Sequence, residues 1–126
     1  MTAIQPAPTV LLVDDDKDVL LIHKRFLEKM DYRVVVANNG LEALAEFRKE
    51  PARFDMLISD FQMPGMDGLS LVSEVRKLCR DISILIVSGY VDDALIEGLR
   101  NHEVLVASKP MMFGAFEDLV IAMTGA

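Results

Sequence analysis

The sequence predicts an α/β protein, one parallel five-stranded sheet with five helices spread over both faces. Three observations carry that prediction. Apolar runs alternate with helically spaced segments five times, a pattern that implies right-handed crossovers onto a parallel sheet. The runs are unbroken, as in strands buried on both faces. Hydrophobic residues make up 52% of the 126-residue chain, with a mean hydropathy of +0.29, which suits a doubly covered sheet.

The elements follow in order. Residues 10–13 (VLLV) form a short apolar strand that ends abruptly in acids. Residues 18–30 place Val19, Leu20, Ile22, Phe26, Leu27 and Met30 at mostly helical spacing. Residues 33–37 are β-branched and predict the second strand. After Asn39-Gly40, residues 41–49 predict a helix with Leu41, Leu44, Ala45 and Phe47 inward. Residues 54–59 give the third strand and 69–78 the third helix. Residues 82–87 (ISILIV) are the most apolar strand and are expected at the centre of the sheet. A fourth helix over 92–100, a fifth strand over 103–107 and a closing helix over 113–123 complete the series. Residues 1–8 read as a flexible lead with neither the basic flank nor the apolar core of a signal peptide, and 9–126 as one domain.

Composition narrows the function. A net charge of −7 and a pI near 4.7 oppose direct binding to a nucleic-acid backbone. No apolar stretch approaches the roughly 18 to 20 residues of a membrane span. A single cysteine, Cys79, cannot form an internal disulfide, so a reducing cytoplasm is the expected compartment. His23 is expected at the surface of the first helix, and the eight methionines mostly as core filler. Met111 and Met112 lie just past the fifth strand, where a partner surface is one reading.

In this class of fold, ligands bind beyond the carboxyl ends of the strands. Those ends carry Asp14-Asp15-Asp16, Asp60, Ser88-Gly89 and Lys109-Pro110, while the second strand ends without charge. Clustered carboxylates repel, by about 4 kcal/mol for two charges at about 4 Å and an effective dielectric of 20. A bound cation relieves this, and a few carboxylates with open positions suit Mg²⁺ better than a closed calcium cage. An aspartate beside such a metal is a candidate phosphoryl acceptor, with Lys109 and Ser88 placed to hold phosphoryl oxygens. Each piece also has a plainer reading. An acidic triplet after a strand commonly caps the next helix, as Asp16 is placed to do, and Met63-Pro64-Gly65 reads as a turn. Asp14, Asp16 and Asp18 mimic the start of a calcium loop. That reading fails because Val19 stands at the glycine position and Arg25 at the terminal glutamate.

The run from Val10 into Asp14-Asp15-Asp16, the segment from Asp60 to Gly68 (DFQMPGMDG), ILIV before Ser88-Gly89, and Lys109-Pro110 together resemble the response-regulator receiver family of two-component signalling. The resemblance covers nearly the whole chain and is most specific from Asp60 to Gly68. It implies a flavodoxin-like sheet with strand order 2-1-3-4-5. It also implies phosphorylation of Asp60 by a histidine kinase or a histidine phosphotransfer protein, with Mg²⁺ as cofactor. Asp15 matches the principal metal ligand, Asp14 a ligand acting through water, Asp60 the acceptor and a ligand, and the Gln62 main-chain carbonyl the last protein ligand. Ser88 matches the hydroxyl switch position and Lys109 the phosphate-pairing lysine, followed by a peptide bond that is often cis. Such a chain assists its own modification rather than acting as a conventional enzyme. Its expected output is protein contact through the face of the fourth helix, fifth strand and fifth helix, including phosphorylation-dependent dimerisation.

Three departures stand out. Val106 occupies a position that is usually aromatic, which removes the familiar aromatic switch there. Gln62 and Tyr90 stand at positions that resemble those modulating acyl-phosphate lifetime, and a bulky Tyr90 predicts slow hydrolysis. Residues 97–103 (EGLRNHE) lack the usual Gly-Ala turn and are one residue short. Rival readings are an aspartyl-phosphate phosphatase using Asp14, a flavodoxin-like electron carrier, and a scaffold indifferent to phosphorylation. The first lacks a cap domain. The second would need donors, not three acids, in its first loop.

Overall fold

The structure is a computed structural model and describes residues 7–124. Most of the expected lead, residues 1–6, and the last two residues of the chain lie outside the described residues. Strands β1 (Thr9–Val13), β2 (Arg33–Ala37), β3 (Met56–Asp60), β4 (Ser83–Ser88) and β5 (Leu105–Ser108) pair in parallel in the order β2-β1-β3-β4-β5. Helices α1 (Lys17–Lys29), α2 (Gly40–Lys49), α3 (Gly68–Leu78), α4 (Asp93–Leu99) and α5 (Phe113–Thr124) cross between them or close the chain.

Side chains alternate across the sheet and divide the core in two. Leu11, Val13, Leu57, Ile84 and Ile86 face one layer with Phe47, Leu71, Val75, Leu95 and Leu99 from α2, α3 and α4. Val10, Leu12, Met56, Ile58, Leu85 and Val87 face the other, with Leu20 and Leu27 of α1 and Phe116 and Val120 of α5. The unbroken apolar runs are therefore buried on both sides, and β3 is buried at every position.

Several expectations need correcting. The middle strand is β3, not β4, because an apolar run reports burial on two faces and not position in the order. On α1 the buried residues are Leu20, His23 and Leu27, and Ile22 is exposed. At about 100° per residue His23 stands about 60° from Leu20, whereas Ile22 stands about 160° away. His23 is thus a core residue, not a surface one, and its ring stacks on Phe116 at 5.0 Å between centroids. On α2 the inner residues are Gly40, Ala43, Leu44 and Phe47, while Leu41 and Ala45 are exposed. The same periodicity puts both well round from Phe47.

The short α4–β5 connection has its own solution. After α4 the chain makes a 3-10 turn over Arg100–His102, and Glu103 takes a left-handed conformation with φ 55. Arg76 of α3 holds this corner. Its Nε donates to the His102 carbonyl at 2.7 Å, one terminal nitrogen to Ile82 at 2.6 Å and Arg80 at 3.0 Å, and the other to Glu103 at 3.0 Å. One guanidinium thereby satisfies four backbone acceptors from two connections, α3–β4 and α4–β5.

Candidate phosphoryl-transfer site

Four of the five strands deliver a polar residue to the same edge. Asp14 follows β1 directly and is buried, its backbone N–H donating a hydrogen bond to Ala37 O at 3.2 Å. Its Oδ1 accepts the Asp16 N–H at 2.9 Å, which turns the chain out of the sheet. Asp16 then caps α1, its Oδ1 accepting from Asp18 and Val19. The acidic triplet divides its work: Asp14 faces inward, Asp15 lies exposed at the rim, and Asp16 serves the helix. The capping reading holds for Asp16, while Asp14 and Asp15 stand with Asp60 in the carboxylate cluster that the ligand reading requires.

Asp60 is the last residue of β3 and is 7% exposed. The loop that follows turns at Gly65, with φ 82, a conformation that suits glycine. It returns so closely that the Gly68 N–H donates to Phe61 O at 2.7 Å. A Cβ at Gly68 would sit 2.8 Å from the Asp60 carbonyl oxygen, so glycine is required for α3 to begin against the site.

The carboxylates of Asp14, Asp15 and Asp60 offer oxygens within 4.8 Å of one another. Lys109, just past β5, reaches in between two of them, its Nζ 2.8 Å from Asp14 and 3.3 Å from Asp60. Its backbone N–H donates to Ser88 O at 2.8 Å, and the Lys109–Pro110 peptide bond is cis. Burial pushes the Asp60 carboxyl above its ordinary range, and the Asp14 charge adds to this, against the pull of Lys109. Burial works to lower the Lys109 ammonium, but its contacts with Asp14 and Asp60 outweigh that and hold it raised. One cation thus faces two buried carboxylates, with a third at the rim, and the excess negative charge is what a divalent ion would neutralise.

Ser88 is buried at the end of β4, but its hydroxyl is turned to its own loop. It donates to Tyr90 O at 2.8 Å and accepts from Tyr90 N–H at 3.3 Å. Gln62 lies with Phe61, Tyr90, Asp92 and Leu95 around a second hollow of about 230 Å³ beside the acids. Tyr90 is 67% exposed at its mouth. Val106 packs against the core of the α2–α4 layer. Sequence reasoning missed the Ser88–Tyr90 bonds, for which the two-residue spacing was the available signal.

Residues 10–121 match the response regulator receiver domain family. The receiver protein CpdR of Brucella abortus is 34% identical over 120 residues, covering 90% of this chain and 97% of that protein. The sensor kinase CckA of the same organism is 39% identical over 98 residues. The chain spans between 10% and 45% of the length of four relatives, that kinase among them. The chemotaxis protein CheY4 of Vibrio cholerae superposes with a TM-score of 0.86 at 28% identity, over 93% of this chain and 98% of that one. This chain belongs to the response regulator receiver domain family, a flavodoxin-like module of two-component signalling.

Proposed function

We propose that Asp60 accepts a phosphoryl group from the phosphohistidine of a histidine kinase or a histidine phosphotransfer protein. The observation that carries this reading is Lys109 Nζ set between the Asp14 and Asp60 carboxylates, with Asp15 beside them. An Asp60 oxygen attacks phosphorus, the phosphorus–nitrogen bond of the donor breaks, and the imidazole leaves with that electron pair and takes up a proton. Asp14, Asp15, Asp60 and the Gln62 main-chain carbonyl would hold Mg²⁺, with Asp14 acting through water. The ion supplies positive charge against the incoming phosphate. Lys109 then exchanges its Asp60 contact for a phosphoryl oxygen. Ser88 rotates from Tyr90 to another, which frees the β4–α4 loop and shifts the population of its conformers.

The chain is in this reading a phosphoacceptor that assists its own phosphorylation and slow dephosphorylation, not a conventional enzyme. Its output surface is the α4–β5–α5 face, where Tyr90, Ile96, Leu105 and Met112 are all exposed. A downstream protein or a second phosphorylated copy would cover that face. A cytoplasmic location accords with the free Cys79 and a kinase donor.

Intact mass after incubation with acetyl phosphate tests the reading. A Mg²⁺-dependent gain of one phosphoryl group is expected, absent in Asp60→Asn. A gain that persists in Asp60→Asn would overturn the assignment, and no gain in the folded protein with excess Mg²⁺ would favour a scaffold.

A further inference from the structure

The corner that Arg76 holds also forms a cavity of about 610 Å³ outside the phosphoryl-transfer site, lined by Ser73, Arg76, Lys77, Arg80, Asn101 and His102. Its volume lies within the roughly 300–1,000 Å³ of small-ligand pockets. Its charge runs against that of the molecule. Three cationic side chains, Arg76, Lys77 and Arg80, line it with one carboxylate, Glu103, on a chain of net charge −7, and Lys77 also pairs with Glu74 at 3.2 Å.

Arg76 is fixed there by four backbone carbonyls. Among the described residues neither Arg76 nor Arg80 has a carboxylate within salt-bridge distance. Carbonyl dipoles orient a guanidinium without cancelling its unit charge, so the positive field stays directed at the cavity. Four of the five Arg76 N–H groups are occupied, which leaves one donor on its second terminal nitrogen. Ser73 Oγ and His102 Nε2 meet at 3.5 Å and add a hydroxyl and an imidazole, and Asn101 adds an amide. Two cations without a carboxylate partner, Lys77 at the rim and three neutral polar groups exceed what the two oxygens of a carboxylate can use. They match the three or four oxygens of a phosphate.

We propose that this cavity binds a small phosphate-bearing molecule, as a second anion site separate from Asp60. Its walls come from α3 and from the turn between α4 and β5, so an occupant ties α3 to the corner of the output face. The binding is independent of phosphoryl transfer and does not rest on it.

Heteronuclear NMR titration at constant ionic strength, without Mg²⁺, tests this with inorganic phosphate in one arm and adenosine monophosphate in the other. Saturable shifts at Ser73, Asn101, His102 and the Arg76 side-chain N–H are expected in at least one arm. Saturation by phosphate alone identifies free phosphate as the ligand, and tighter saturation by the nucleotide identifies a phosphate ester. The exposed Lys77→Gln/Arg80→Gln double variant should weaken binding tenfold or more while Asp60 phosphorylation by acetyl phosphate is unchanged. Shifts confined to the surroundings of Asp14, Asp60 and Lys109 would overturn the proposal. So would equal affinity in the double variant, or no saturable shift in either arm.

Discussion

The phosphoryl-transfer edge and the α3/α4–β5 corner each centre on one basic residue, and they use it in opposite ways. Lys109 faces side-chain carboxylates that carry full charge, Asp14 at 2.8 Å and Asp60 at 3.3 Å. Arg76 donates its hydrogen bonds only to backbone carbonyls, those of residues 80, 82, 102 and 103. In the first case the cation balances charges that the proposed phosphorylation would rearrange, and the surplus of acid leaves the site short of positive charge. In the second the cation is a fastener that completes main-chain hydrogen bonding, and its own charge is the surplus. The difference separates a place built to change state from a place built to stay put, and each half can be broken on its own.

The largest effect is expected at the first. Lys109→Met removes the donor for a phosphoryl oxygen and leaves Asp14 and Asp60 facing each other. Phosphoryl incorporation should fall roughly a thousandfold, about 4 kcal/mol, as for loss of an oriented donor at a developing charge. Time-resolved intact mass with acetyl phosphate measures it. Incorporation within a factor of a few of the wild type would show that Lys109 is only a counter-ion.

Next in size is the fastener. Arg76→Ala deprives four carbonyls of a charged donor at a half-buried corner. A loss of about 3 kcal/mol in unfolding free energy is expected, since hydrogen bonds to charged groups contribute about 1.5–3 kcal/mol each and water replaces some of them. Urea denaturation reads the loss, and Asp60 phosphorylation in the folded variant should stay intact. A variant that is stable but no longer phosphorylated would merge the two regions that the comparison keeps apart.

A smaller effect has the opposite sign. Asp60→Asn removes one of two buried carboxylates that share Lys109, leaving a matched pair. Because the Asp60 pKa is raised in the fold by burial and by Asp14, its ionisation costs stability. The cost is absent below the ordinary aspartate pKa and grows as pH rises through the raised value. Thermal melts should therefore nearly coincide in acid, and at neutral pH the variant should melt about 3 °C higher. Mg²⁺ should raise the wild-type melt more than that of the variant. A variant that melts lower at neutral pH would mean that the site is not short of positive charge.

The same contrast explains what the sequence reveals. Asp14, Asp60, Ser88 and Lys109 were legible because each follows an apolar strand, and a parallel sheet brings all strand ends to one edge whatever lies between. Asp16 as a cap was legible for a local reason. Arg76 was not, because its partners lie 26 and 27 residues away in a turn and leave no periodic trace. The Ser88 hydroxyl was placed correctly at the edge, but its orientation toward Tyr90 depends on a loop conformation that composition does not determine. Leu41 and Ala45 were assigned inward on hydrophobicity against their helical phase, and phase prevailed.

His23 is the sharpest case of that error and gives the smallest prediction. Its type suggests a surface, but its phase with Leu20 and Leu27 puts it in the core against Phe116. Burial lowers its pKa below the ordinary value of 6.5, Asp14 pulls it up, and Lys109 pushes it down. The fold thus holds the neutral ring. Its contribution is fully present above the ordinary histidine pKa and is lost as pH falls through the lowered one, because the unfolded chain then binds the extra proton. His23→Phe keeps an aromatic ring on Phe116 and removes the titration. Between about pH 7.5 and about pH 5.5 the wild type should lose more stability than the variant, by about 1 kcal/mol. Parallel pH profiles in urea denaturation would show that the ring titrates freely in the fold. His23 would then be a residue that hydrophobic phase places in the core but that water still reaches, and the layer of α1 and α5 beneath Asp14 would be looser than its aromatic stacking indicates.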